Sequence, residues 1–291
     1  MTPISALRQR SEEEASKLPA LLARAEHLAG TVLLGDHGRR RSGLGDDFWQ
    51  YRPVQQGDAY RDIDWRRSAR SDMQFVRERE WQIAQSVILW VDQTASMRFA
   101  SDKDLPSKAN RARTLALATS ILLIRGGERV GLTGFNLPPR RGQVQITRLA
   151  EMLSIDDGEE YAEPEARGMI PQSRALFFSD FMGDPAPVEA ALTKAADRGV
   201  RGALVQILDP SEEQFPFDGR TIFQSVGGGV LHETLKAGDL RSRYLDRLAE
   251  RKERLQHLSK VTGWQYLCHH TDNSAQSALL WIYRAMDGGH G

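Results

Sequence analysis

The sequence predicts an α/β fold, an open and mainly parallel sheet with helices on both faces, and three observations carry that prediction. Three continuous apolar runs, "SVILWVD" from Ser86, "RALFFSD" from Arg174 and "VRGALVQILDP" from Val200, are bounded by polar residues, as strands buried on both faces are. Stretches of helical period alternate with them, "KANRARTLALATSILLIRGGE" and "PAPVEAALTKAADRG" among them. Two of the runs end on aspartates, Asp92 and Asp180, and in open sheets ligands bind in the crevice beyond the carboxyl ends of the strands.

Taken in order, "SEEEASKLPALLARAEHLAG" from Ser11 reads as a first helix, with a capping-type serine, glutamates in its first turn and Leu18, Leu21, Leu22, Ala25 and Leu28 on one stripe. "LLGDHGRRRSGLGDD" has no apolar period and reads as an exposed loop. Two strand-like pieces, "FWQYRPV" and "MQFVRERE", flank the charged "QQGDAYRDIDWRRSARSD". Beyond Gln85 the strand and helix alternation begins. "RVGLTGF" and "GQVQITRL" flank the turn-rich "NLPPRR", predicting a hairpin whose second strand forms a sheet edge. A long helix over "GDLRSRYLDRLAERKERLQHLSKVTG", a last strand "WQYLCHH" and a closing helix "SAQSALLWIYRAM" complete the chain. The expected division is residues 1–85, a helix plus a β-rich segment, and residues 86–291, the α/β domain.

The totals bound the function. With 40% of 291 residues hydrophobic, the chain can bury one large core. Its 39 basic and 39 acidic residues balance, so no whole-molecule field draws it to nucleic acid or to an anionic membrane. A single cysteine, Cys268, excludes an internal disulfide framework and fits a reducing compartment. The longest apolar stretch, Leu115 to Ile124, is about half of what a bilayer span requires. No membrane span is expected, and the expected location is the cytoplasm.

The chemistry concentrates in "DQTAS". Asp92, Thr94 and Ser96 offer one carboxylate and two hydroxyls at alternate positions, hard oxygens of the kind that Mg²⁺ takes, and Asp180 can add a second carboxylate through a coordinated water. The bland alternative is a capped turn with no metal. Asp-x-Thr-x-Ser after a buried strand resembles the metal-ion-dependent adhesion site of von Willebrand factor A domains, with Thr94 in place of the usual middle serine, and "FFSDF" resembles the strand that carries the distal aspartate of that fold. Upstream, "GDDFWQYRPVQQGDAYRDIDWRRSARSDMQFVREREWQ" resembles the signature preceding the A-like domain in domain-of-unknown-function family 58. The resemblance implies a Rossmann-like von Willebrand factor A-type fold, a site for Mg²⁺ or Mn²⁺ at Asp92, Thr94, Ser96 and Asp180, and a MoxR-type AAA+ ATPase and client proteins as partners. One departure stands out: A-domain sites take a threonine from a later loop, whereas Arg148 to Ser173 contains none, and Ser154 is its one aliphatic hydroxyl before Ser173. Metal binding is therefore expected to be weak.

"GDAYRDIDWRRSAR" reads either as a self-neutralising ion-pair face or as a recognition surface in which Arg61, Trp65, Arg66 and Arg67 meet an acidic partner. Adjacent side chains of "CHH" point to opposite strand faces, which argues against a structural zinc. "HGRRRSG" reads as a solvated loop and "VGGGV" lacks the strand-to-helix context of a dinucleotide fingerprint. With no Gly-Lys-Ser/Thr loop, no Gly-x-Ser-x-Gly elbow and no His-Glu-x-x-His helix, no catalytic residue is assigned. The expected function is a non-enzymatic interaction protein working with the ATPase on client assembly or remodelling. The alternative is a Mg²⁺- or Mn²⁺-dependent hydrolase using the same carboxylates.

Overall fold

The computed structural model describes residues 19–32, 40–43, 47–55, 58–71, 73–82, 85–135, 137–156, 160–164, 169–224 and 231–287. They fall into two compact units, one of residues 1–35 and 85–291 and one of residues 36–84. Ser11 and Leu18 of the first helix and the glycines of "VGGGV" lie outside the described residues.

The helix of residues 19–30 (α1) goes with the larger unit rather than with the β-rich segment with which the sequence groups it. Its stripe of Leu21, Ala25 and Leu28 is buried in the apolar cluster on one face of the main sheet. Just beyond it, the Thr31 carbonyl accepts a hydrogen bond from Gln276 Nε2 at 3.2 Å.

The smaller unit is a three-stranded antiparallel sheet in the order β1 (Arg40–Gly43), β3 (Phe75–Gln82), β2 (Asp47–Pro53), with the short helix α2 (Trp65–Ser68) between β2 and β3. Part of the run expected as loop is thus a strand, because backbone pairing with β3 needs no apolar period. Much of the charged signature is local structure. Asp64 caps α2 by accepting the Arg67 N–H at 3.0 Å and also accepts from Tyr51 Oη at 3.2 Å. Arg52 grips Asp58 with two hydrogen bonds of 2.7 and 2.6 Å. Hydrogen bonds from Arg52 and Gln55 hold the Asp58 carboxyl down at about 2.

In the larger unit six strands pair in the order β11 (Gln265–His270), β8 (Arg201–Leu208), β7 (Arg174–Ser179), β4 (Ser86–Val91), β5 (Arg129–Leu132), β6 (Leu137–Arg140). All neighbours are parallel except β5 and β6. Renumbered within this unit, the order is 3-2-1-4-5-6 from the β6 edge, the doubly wound arrangement, whose switch point lies between β4 and β7. Alternation along the strands splits the core in two. Val87, Leu89 and Val91 face α1, α3 (Lys108–Arg125), α4 (Gln143–Leu153) and α8 (Ala275–Asp287), whereas Ile88 and Trp90 face α5 (Pro185–Asp197) and α7 (Gly238–Thr262). A short helix α6 (Pro210–Gln214) follows β8, and β9 (Thr221–Gln224) pairs with β10 (Leu231–Thr234) in a hairpin.

The expected edge hairpin exists, but its second strand is "LPPR" itself, and "QVQITRLAEML" is helix α4. Pro138 and Pro139 lack an N–H, which an edge strand tolerates. The register slips between Val130 and Leu132, where a Cβ on Gly131 would lie 2.7 Å from the Leu137 carbonyl oxygen. Gln145 of α4 donates from Nε2 to the Val130 and Pro138 carbonyls at 2.8 and 3.2 Å, tying helix to edge.

Candidate metal centre

Strand β4 delivers Asp92 to the switch point, where its N–H bonds the Phe178 carbonyl of β7 at 2.9 Å. Its carboxylate then folds the following loop around itself. Oδ1 accepts from the Thr94 backbone N–H at 3.0 Å and from Thr94 Oγ1 at 2.6 Å, the local turn that Asp favours. Thr94 Oγ1 lies 3.4 Å from Ser96 Oγ, at the start of a 3-10 turn (Ala95–Arg98). Thr94 thus stands between the Asp92 carboxylate and the Ser96 hydroxyl.

Asp180 is next to them but engaged otherwise. Ser179 Oγ donates to Asp92 Oδ2 at 2.7 Å and accepts the Phe181 N–H at 2.9 Å, linking the two strand ends. Phe181 takes a left-handed backbone, φ 53°, a strained conformation for a bulky residue, while its ring packs in the α5/α7 face of the core. Asp180 Oδ1 accepts from Met182 N at 2.9 Å, and Oδ2 from Lys108 Nζ at 2.8 Å. Lys108, in the first turn of α3, also donates to Glu212 Oε1 at 2.6 Å. Glu212 is itself fixed by the capping box of α6, accepting the Asp209 N–H at 2.8 Å.

Electrostatics follow from burial. Asp92, Thr94, Ser96, Lys108 and Asp180 are each 3% exposed or less, so the loop is interior and not an open rim. Burial, reinforced by the charge of Asp180 and only partly offset by the hydroxyls of Thr94 and Ser179, raises the Asp92 carboxyl above the usual range. Burial likewise raises Glu212 against the pull of Lys108. For Lys108, burial acts downward, but the charges of Asp180 and Glu212 outweigh it and hold the ammonium above the ordinary lysine value.

The later segment reaches the loop without a threonine. Ser154 spends its hydroxyl on the Ala150 carbonyl at 2.8 Å, capping α4. The Glu160 carbonyl instead accepts the Ser96 N–H at 3.2 Å, and Tyr161 packs on Gly183, where a Cβ would meet the Tyr161 Cβ at 3.0 Å.

The donor set of Asp92, Thr94 and Ser96 fits a hard cation: oxygens only, close together, on a buried carboxylate that pairs with no cation among the described residues. Asp180 fits less well, since Lys108 already neutralises it. Lys108 and Glu212 are absent from the sequence reading, yet each left a signal. A lysine in a first helical turn opposes the helix dipole and calls for a carboxylate, and "DPSE" has the spacing of a capping box.

The other named residues belong to the smaller unit. Arg67 lies over the Tyr51 and Phe75 rings at 4.7 and 5.6 Å, Trp65 stacks on Tyr60 at 6.3 Å, and Arg66 and Arg67 help line a cleft of about 420 Å³ together with Asp64 and Arg70. Trp65 is 54% exposed, so its ring serves no core there.

A second set of ligand-type side chains lies where β11 meets α6. Glu213, Cys268 and His270 place ligand atoms within 4.8 Å of one another and can in principle coordinate a divalent metal. From sequence, "CHH" argues against a structural zinc, because adjacent side chains alternate and no second Cys/His cluster completes four ligands. The structure uses residues two apart, so Cys268 and His270 share a face.

The family described as "Protein of unknown function DUF58" matches residues 50–254. Uncharacterized protein Mb1516 of Mycobacterium bovis and uncharacterized protein Rv1480 of Mycobacterium tuberculosis are each 28% identical over 221 residues, covering 69% of this chain and 67% of the relative. Among solved structures, the conserved hypothetical protein BatB of Bacteroides thetaiotaomicron aligns at TM-score 0.42 and 16% identity, over 71% of this chain and 100% of its own. An aerotolerance-related membrane protein of Bacteroides fragilis aligns at 0.45 and 18%, over 70% and 99%. Among the described residues no helix is long and apolar enough to cross a membrane.

Proposed function

We propose that this chain, which belongs to the DUF58 family, is a non-enzymatic interaction protein of the von Willebrand factor A type that acts with a MoxR-type AAA+ ATPase on client proteins. The observation that carries the reading is the oxygen cluster of Asp92, Thr94 and Ser96 at the switch point of a doubly wound sheet. The choice of partner rests on the resemblance of the upstream signature noted in the sequence.

Asp92, Thr94 and Ser96 would hold Mg²⁺ or Mn²⁺, with Asp180 nearby. When bound, such a cation supplies an open coordination position for a carboxylate of the partner. The chain's own residues set the conditions. Ser179 and Thr94 orient Asp92, while Lys108 keeps Asp180 neutralised and leaves essentially a one-carboxylate site, which makes affinity low.

Calorimetric titration of the full chain with Mg²⁺ and Mn²⁺ tests the site. Weak saturable binding that disappears in Asp92→Ala supports it, and binding undiminished in Asp92→Ala removes it. A turnover screen with phosphate-ester and peptide substrates under the same metals tests the class: metal-dependent turnover lost in Asp92→Ala establishes a hydrolase instead.

A further inference from the structure

We propose that Glu213, Cys268 and His270 form a second metal site, separate in chemistry from the oxygen cluster and suited to Zn²⁺ or another borderline-soft divalent ion. A thiolate, an imidazole and a carboxylate are the ligand types that Zn²⁺ takes, and three protein ligands leave one position of a tetrahedron open. Mg²⁺ would not select such a set.

The placement is built by rigid elements. Tyr266, Cys268 and His270 share the face of β11 turned toward α7, while Leu267 packs in the opposite cluster. Cys268 and His270 pair in register with Gln206 and Leu208 of β8, and the chain leaves β8 directly into α6, whose capping box positions the neighbouring Glu212. Glu213 therefore meets the strand at a defined point. His270 Nε2 stands 2.7 Å from Glu213 Oε2, so an imidazole nitrogen and a carboxylate oxygen already lie side by side. A divalent ion would take both atoms as ligands in place of that contact.

Lys252 of α7 is the competitor. Its ammonium bonds Glu213 Oε1 and also reaches Cys268, supplying positive charge in the absence of metal. It is part-exposed, with 25% of its side chain accessible, so it can swing out when an ion enters.

The single cysteine makes the test specific. The reduced full-length chain is titrated with Co²⁺ under anaerobic conditions and followed by near-ultraviolet absorption, where thiolate-to-cobalt charge transfer appears only if Cys268 is a ligand. The expected result is one Co²⁺ per chain with that band, displaced by Zn²⁺, abolished in Cys268→Ser and weakened at least tenfold in affinity in both His270→Gln and Glu213→Gln. Asp92→Ala should leave the band intact, which separates this site from the oxygen cluster. Lys252→Met should bind more tightly. No band in the wild-type chain, or a band indifferent to both His270→Gln and Glu213→Gln, overturns the proposal.

Discussion

Lys108 shows how much one side chain decides. Buried between Asp180 and Glu212, it supplies positive charge to an interior that also contains Asp92. Removing one partner of a buried ion group leaves uncompensated charge, and Lys108→Met should lower stability by about 3–5 kcal/mol. The variant leaves Asp180 and Glu212 facing each other, so Mg²⁺ should raise its melting temperature more than that of the wild type; an equal rise in both would show that Lys108 does not compete with the cation. Glu128 gives a simpler case. Burial, only partly offset by the Gln85 N–H and nearby arginines, raises its carboxyl above the ordinary 4.5. The folded state thus keeps that proton longer than the unfolded chain, and stability falls as pH rises from 4.5 through the folded value. Glu128→Gln should raise the melting temperature near neutral pH and change it little below 4.5. A lower melt at neutral pH would contradict the assignment.

At the scale of elements, legibility followed how local the signal is. The strands β4, β7 and β8 are continuous apolar runs and were readable as such, and α3, α5, α7 and α8 carry long helical periods. The start of helix α4, "QVQIT", alternates apolar and polar residues and so reads as a strand; its buried face, Ile146, Leu149, Ala150 and Leu153, emerges only over the longer window, with Val144 left 67% exposed. The β5/β6 edge depends on the missing side chain at residue 131. Gly131→Ala should cost about 1–3 kcal/mol, because the new methyl meets backbone that cannot rotate away. Circular dichroism melts of that variant check it, and an unchanged melt would mean the edge can shift freely. In the smaller unit, exposed Trp65 leads to the opposite expectation: Trp65→Ala should move the melting temperature by no more than a surface substitution does, about 0.5 kcal/mol or less. A large drop would mean that its stack on Tyr60 is structural.

For the molecule as a whole, the doubly wound order explains why the site was half legible. Asp92, Thr94 and Ser96 lie within five residues on one strand end, so their convergence is a local property. Lys108, Asp180 and Glu212 come from α3, the end of β7 and α6, and only the closed sheet brings them together. Glu213, Cys268 and His270 are likewise joined only by the packing of α6 on β11. Through Glu212 and Glu213, adjacent in sequence, α6 touches both the Lys108–Asp180 ion group and the Cys268–His270 pair. The central claim is that the Asp92 loop is a cation-dependent recognition element for an AAA+ partner, and the most direct test is a two-by-two comparison by surface plasmon resonance. Wild type and Asp92→Ala are each measured against a purified MoxR-type ATPase from the same organism, with Mg²⁺ and with EDTA. The account predicts that EDTA and Asp92→Ala each weaken the complex and that EDTA has no further effect on the variant, since both act on one interaction. A complex indifferent to EDTA and to Asp92→Ala would contradict it.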